Sequence, residues 1–185
     1  RPSILPNLVD AAARNTDRGY HDAALFEIGN IYCAADAKGQ ILTATALRCG
    51  NARPRHWAEA PRSVDVHDAK ADALAILEAC GVNPASVQIS ADAPEWYHPG
   101  RSGQLRLGPV VLASFGELHP GLLATLKREE PMVGVEVFLA SLPAPKRKGP
   151  QKDLLKPSPF QPLHRDFAFI VDRHVTADTL VRAIR

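Results

Sequence analysis

Between residues 23 and 142 the chain alternates apolar and polar side chains in six runs, and the connections, two of them under ten residues, are too short for regular strand–helix–strand crossovers. The runs are "AALFEIGNIY", "QILTATALRCG", "SVQIS", "GQLRLG", "PVVLASFGEL" and "MVGVEVFLASL". Period-two alternation rich in Val, Ile, Leu and Thr predicts strands with two distinct faces. Parallel strands need a dozen or more connecting residues, so short connections make neighbouring strands antiparallel. The fold class that follows is α+β, built on a mainly antiparallel sheet. In the last run Val133, Val135 and Val137 alternate with Gly134, Glu136 and Phe138. Gly29, inside the first run, reads as a turn or bulge. "YHPGRSGQ", Tyr97 to Gln104, reads as a tight turn between strands, since its two glycines match neither a Walker pattern nor GxGxxG.

Three helices are predicted in this part of the chain. Ser3 is placed to cap the first, where Leu5, Leu8, Val9 and Ala12 recur at helical spacing until Gly19. Pro6 is tolerated there, because amides in the first turn have no helical partner. The second spans "VDVHDAKADALAILEACG", with Val66, Ala73, Leu74, Leu77 and Cys80 on one stripe and Gly81 as its C-terminal stop. The third is short and starts at Pro120. The domain is expected to end near Leu142. Residues 143–160, "PAPKRKGPQKDLLKPSPF", are rich in Pro and Lys without an apolar period and read as a linker, with Lys146, Arg147, Lys148, Lys152 and Lys156 crowded into it. Within residues 161–185, "RDFAFIV" reads as a strand and "TADTLVRAIR" as a helix capped by Thr176. One strand and one helix cannot enclose a core, so this piece is expected to open a second domain cut at Arg185, and the chain, which lacks an initiator Met, to be part of a longer protein.

Composition excludes little. A formal charge of +2 over 185 residues gives no case for nucleic acid or membrane by itself. No apolar run reaches the roughly 18 residues of a membrane helix, and the start "RPSILPNLVD" is no signal peptide. Cys33, Cys49 and Cys80 are odd in number and widely spaced, which encodes neither a disulfide framework nor a metal site and fits a reducing, cytoplasmic setting.

Three groups of residues resemble reactive sites. Glu117 and His119 in "FGELHPGLL" would share a face if both stayed in a strand, as two metal ligands do, but Pro120 makes His119 a helix cap and no third ligand completes the set. Asp65, His67, Asp68 and Asp72 suggest a metal cluster; on a helix, Asp68 and Asp72 lie one turn apart on the face opposite Leu74 and Leu77, where solvated charge is expected. In "HRDFAFIV" Phe167, Phe169 and Val171 project from one side. They are either core or a platform on which unpaired bases stack, with Arg165 and the linker lysines meeting phosphate.

"RPSILPNLVDAAARN", "ALFEIGNIY", "YHPGRSG", "FGELHPGLL" and "VGVEVFLASL", in this order, resemble the beta subunit of bacterial phenylalanyl-tRNA synthetase, and "PSPFQPLHRDFAFIVDRHV" resembles the opening of its C-terminal anticodon-binding domain. The resemblance covers essentially the whole chain. It implies an α2β2 enzyme of protein biosynthesis that uses ATP and Mg²⁺ to attach phenylalanine to its tRNA, with the active site in the alpha subunit. Residues 1–142 would form a module with the antiparallel sheet of class II synthetases that has lost its catalytic residues, and 161–185 the first strand and helix of a ferredoxin-like domain. An active module needs arginines over the ATP phosphates, because the adenylate transition state concentrates negative charge; "MVGVEVFLASL" has none. No catalytic, cofactor-binding or metal residue is therefore expected in this chain. Glu117 is expected to steady the junction between strand and helix by accepting backbone hydrogens. The tRNA-facing candidates carried over are Phe160, Arg165 and Phe167, and the partner is the alpha subunit. The alternatives are a free-standing RNA-binding or protein-interaction module, and a metal-dependent hydrolase built on His67, Asp68, Glu117 and His119.

Overall fold

The computed structural model describes residues 1–36, 39–128, 130–144 and 154–184. The chain divides into two compact units, Arg1–Lys148 and Gly149–Arg185. The first is a six-stranded sheet whose order is β1-β2-β6-β5-β4-β3, with every neighbouring pair antiparallel. The strands are β1 (Ala23–Tyr32), β2 (Gln40–Cys49), β3 (Gln88–Ser90), β4 (Tyr97–Leu107), β5 (Val110–Leu118) and β6 (Met132–Phe138). Helices α1 (Leu5–Thr16), α2 (Val66–Ala79) and α3 (Pro120–Thr125) complete the unit.

The sheet is covered on both faces. Val133, Val135 and Val137 of β6 join Ala113 and Phe115 of β5 and meet Ala69, Ala73 and Leu77 of α2. On the other side Leu47, Cys49 and Met132 meet Ile4, Leu5, Leu8, Val9 and Ala12 of the α1 region. The apolar alternation of β6 therefore buries both of its faces, and only Phe138 is partly open.

Several local expectations need correction. Ser3 lies one residue too early for the capping position: Ile4 occupies it, while the Ser3 hydroxyl accepts from the Leu5 amide at 3.1 Å and donates elsewhere. Gly29 is no turn; it lies in register opposite Thr43, and a Cβ there would come within 3.1 Å of the Arg1 guanidinium. "YHPGRSG" is not a tight turn but the first half of β4, bulged outward, because pairing with β5 jumps from Tyr97↔Leu118 to Ser102↔Gly116. Two local bonds close the bulge: Ser102 Oγ donates to the His98 carbonyl at 2.6 Å, and the Gly100 amide donates to His98 Nδ1 at 3.0 Å. The actual hairpin turn is Gly108–Pro109, between Leu107 and its partner Val110, with Gly108 at φ +59.

In the second unit, α4 (Ala177–Ile184) forms, and Thr176 Oγ1 caps it by accepting from the Thr179 amide at 3.2 Å. Residues 164–171, expected as a strand, are not one. An edge needs a neighbouring strand to satisfy its amides and carbonyls, and none among the described residues pairs with it. Half of the 143–160 linker, including Lys146, Arg147, Lys148 and Lys152, lies outside the described residues.

Candidate functional site

Residues directly opposite one another in an antiparallel sheet share a face. Followed strand by strand, the register aligns Glu27 with Thr45, Thr45 with Glu136, Glu136 with Ser114, Ser114 with Gln104, and Gln104 with Ser90. One polar side chain from each of the six strands thus lines up in a row across the sheet, on the face opposite α2. The middle of the row is closed to solvent: Thr45, Glu136 and Ser114 are each 1% exposed.

Glu136 organises this region. Its Oε1 accepts from Ser3 Oγ at 2.6 Å, and its Oε2 accepts from Trp96 Nε1 at 3.1 Å and from the Tyr97 hydroxyl at 3.2 Å. All three partners are neutral. Burial pushes the carboxyl above the usual glutamate range, and the three donors oppose that shift. Burial, with the nearby Glu136 charge, also holds the Tyr97 phenol well above its ordinary value, so it remains a donor. Thr45 Oγ1, Ser114 Oγ and Ser90 Oγ are buried without a hydrogen-bond partner among the described residues. At the edge of the row, Glu27 is held by Arg1 at 2.6 Å.

The sequence pattern assigned Glu136 only to an alternating strand and missed its role. The signal was there: a single carboxylate in "MVGVEVF", a strand apolar on both faces, has no solvated side to turn to and must find donors inside.

The row does not fit a nucleotide. Phosphate binding needs cations or free amides facing the ligand, and Mg²⁺ needs carboxylates with open oxygens. Here one carboxylate is sealed beneath Ser3, Trp96 and Tyr97, and the other is paired with Arg1. Neither ATP nor Mg²⁺ is therefore assigned to these residues.

The other sequence candidates each make a local structural contact. His119 caps α3, its Nδ1 accepting from the Gly121 amide at 3.0 Å, as its place before Pro120 predicts. Glu117 does not accept backbone hydrogens as expected; its carboxylate takes the Arg101 Nε donor at 2.6 Å, which ties the bulged part of β4 to β5. A charge-assisted bond from a guanidinium is stronger than one from a neutral amide. Asp65 and Asp68 form a reciprocal capping box at the start of α2. Asp68 and Asp72 are not simply solvated. Arg62 grips Asp68 with two 2.7 Å bonds and holds its carboxyl below the usual range, while Arg48 binds both oxygens of Asp72, one at 2.8 Å, and so fastens β2 to α2. Among the described residues no group of three or more His, Cys, Asp or Glu side chains is arranged to hold a metal. Cys33, Cys49 and Cys80 are free thiols; Cys49 belongs to the core, whereas Cys33 is exposed.

Phe160, Arg165 and Phe167 lie in the second unit, all exposed. The Phe167 ring stacks on Phe169 with centroids 6.2 Å apart, consistent with the shared side expected of alternate residues, and among the described residues no hydrogen bond, ion pair or ring contact joins Phe160 or Arg165 to that pair. The structure also reveals an apolar face that the sequence did not single out. β1 is an edge strand, and on its α2 side Phe26 is 76% and Ile28 59% exposed, with Tyr32 and Leu42 beside them. Among the described residues no helix is long and apolar enough to cross a membrane.

Residues 1–139 match the family described as the phenylalanyl tRNA synthetase beta chain CLM domain. Over its whole length the chain is 54% identical to the phenylalanine–tRNA ligase beta subunit of Paramagnetospirillum magneticum and 53% identical to that of Rhodospirillum rubrum. It spans only 23% of the length of each of these relatives. The fold is similar to that of pyrrolysyl-tRNA synthetase from Desulfitobacterium hafniense, with a TM-score of 0.55 at 21% identity over 77% of this chain and 48% of that one. The antiparallel sheet, its two covered faces and these relatives agree: the chain belongs to the phenylalanine–tRNA ligase beta-subunit family.

Proposed function

We propose that this chain is a non-catalytic brace within phenylalanine–tRNA ligase, an α2β2 enzyme of the cytoplasm in which the alpha subunit uses ATP and Mg²⁺ to attach phenylalanine to its tRNA. The observation that carries this reading is the sealed polar row. Where a catalytic sheet would present cations to an adenylate, this one presents a carboxylate enclosed by Ser3, Trp96 and Tyr97. A sheet closed in this way offers rigidity rather than chemistry.

Its working surface is then the contact with the alpha subunit, and the exposed Phe26, Ile28, Tyr32 and Leu42 on the β1 edge favour that use. Contiguous apolar side chains on an edge strand invite aggregation unless a partner covers them. Residues 161–185 begin, on this reading, a ferredoxin-like anticodon-binding domain in which Phe160, Arg165 and Phe167 face tRNA, the rings by stacking and the guanidinium by meeting phosphate. Replacing Phe26 and Ile28 together by serine in the full-length beta subunit is expected to weaken association with alpha by at least about tenfold. The melting temperature of the free subunit should change little, since both side chains are more than half exposed in this unit. Sedimentation across a dilution series measures the association; an unchanged constant would overturn the placement of the interface.

A further inference from the structure

Between β2 and α2 the chain makes a loop whose base is tied and whose tip is bare. The Ala52 amide donates to the Arg62 carbonyl at 2.9 Å and the Val64 amide to the Gly50 carbonyl at 3.0 Å, on either side of a bridge between Asn51 and Ser63. Pro54 and Pro61 stiffen the two arms. At the tip Trp57 is 93% exposed, its ring centroid 5.6 Å from that of His56, and His56 in turn accepts from the Ala58 amide at 3.2 Å. Tryptophan is highly buried on average, and a loop tied at its base holds the exposed ring at a lower ordering cost on binding. Beside it, Arg55 has no ion pair among the described residues, whereas Arg53 is engaged by Glu59 and Arg62 by Asp65 and Asp68.

We propose that this loop anchors the beta subunit on the alpha subunit, with the Trp57 indole filling an apolar pocket there and Arg55 pairing with a carboxylate on its rim. The inference rests on the alpha-subunit reading above and gives that interface its central contact. Tryptophan and arginine dominate the few side chains that carry the affinity of protein interfaces. Position supports the same partner: the loop leaves β2, whose Ala44 and Ala46 pair with the exposed Ile28 and Phe26, and enters α2 on that same face. RNA is disfavoured, because a groove that follows phosphates uses several free cations and this loop leaves one.

The test uses full-length beta and alpha subunits, with wild type, Trp57→Ala and Arg55→Ala compared by association constant, by the melting temperature of free beta, and by affinity of the assembled enzyme for tRNA. The expected result is an association weakened about tenfold to a hundredfold by Trp57→Ala and about threefold to tenfold by Arg55→Ala, with free-subunit melting unchanged. Wild-type assembly that Trp57→Ala leaves intact overturns the anchor alone. A loss confined to tRNA affinity overturns it in favour of an RNA contact. Failure of the wild-type subunits to assemble overturns both this inference and the reading beneath it.

Discussion

Replacing Glu136 by alanine is expected to destabilise the first unit by about 3–5 kcal/mol, the largest effect of any polar substitution in the sheet. The truncation removes the acceptor of three donors at once, Ser3, Trp96 and Tyr97, and leaves them in a region that is 1% exposed at its centre. Chemical denaturation followed by circular dichroism measures the loss. Glu136→Gln keeps an acceptor oxygen and is expected to cost less, and its pH dependence reports on the charge itself. Because burial raises the folded-state carboxyl above its ordinary value near 4.5, the folded protein holds that proton more tightly than the unfolded chain. The stability it contributes is fully present below the ordinary value and declines as pH rises through the raised one. Wild type should therefore lose stability relative to Glu136→Gln on going from about pH 4 to neutrality. A difference independent of pH would show that the carboxyl is not held in this state.

Gly116→Ala is expected to cost about 3 kcal/mol or more, or to leave the protein insoluble, whereas Gly134→Ala next to it should cost about 1 kcal/mol. The two glycines pair across β5 and β6. A Cβ at Gly116 would lie 2.7 Å from the Ser102 Cα and 2.8 Å from the Arg101 carbonyl oxygen, so the backbone of β4 would have to move. At Gly134 the nearest atom is Leu5 Cδ2, at 2.9 Å, the end of a side chain that can rotate away. Thermal melts of the two variants side by side test the distinction; equal losses would mean that β4 yields as easily as a leucine.

The sheet was legible in the sequence because alternation and connection length depend on neighbours along the chain. All six runs contain a strand, with β1, β2 and β5 close to the expected bounds, whereas β4 starts six residues earlier than its run and β6 stops at Phe138; α2 ends just before Gly81, as expected. His119 could be read as a cap because Pro120 follows it. What the sequence hid are pairings made at long range. Ser3 serves Glu136, 133 residues away, so its resemblance to a helix cap misled. Arg48 and Asp72 meet only once α2 lies on β2, and Arg101 reaches Glu117 only because β4 is bulged. The stretch around Phe167 carries strand-forming residues but pairs with no strand among the described residues, and propensity without a ladder does not make a strand. The polar row itself is a property of the register, which no single strand contains.

Aminoacylation by the beta subunit in isolation tests the central claim most directly. Purified full-length beta, given ATP, Mg²⁺, phenylalanine and its tRNA, is predicted to form no phenylalanyl-tRNA, and added alpha subunit is predicted to bring charging to its full rate. Charging by beta alone that disappears when Glu136 or Thr45 is replaced, in a variant that still melts as a folded protein, would contradict the account.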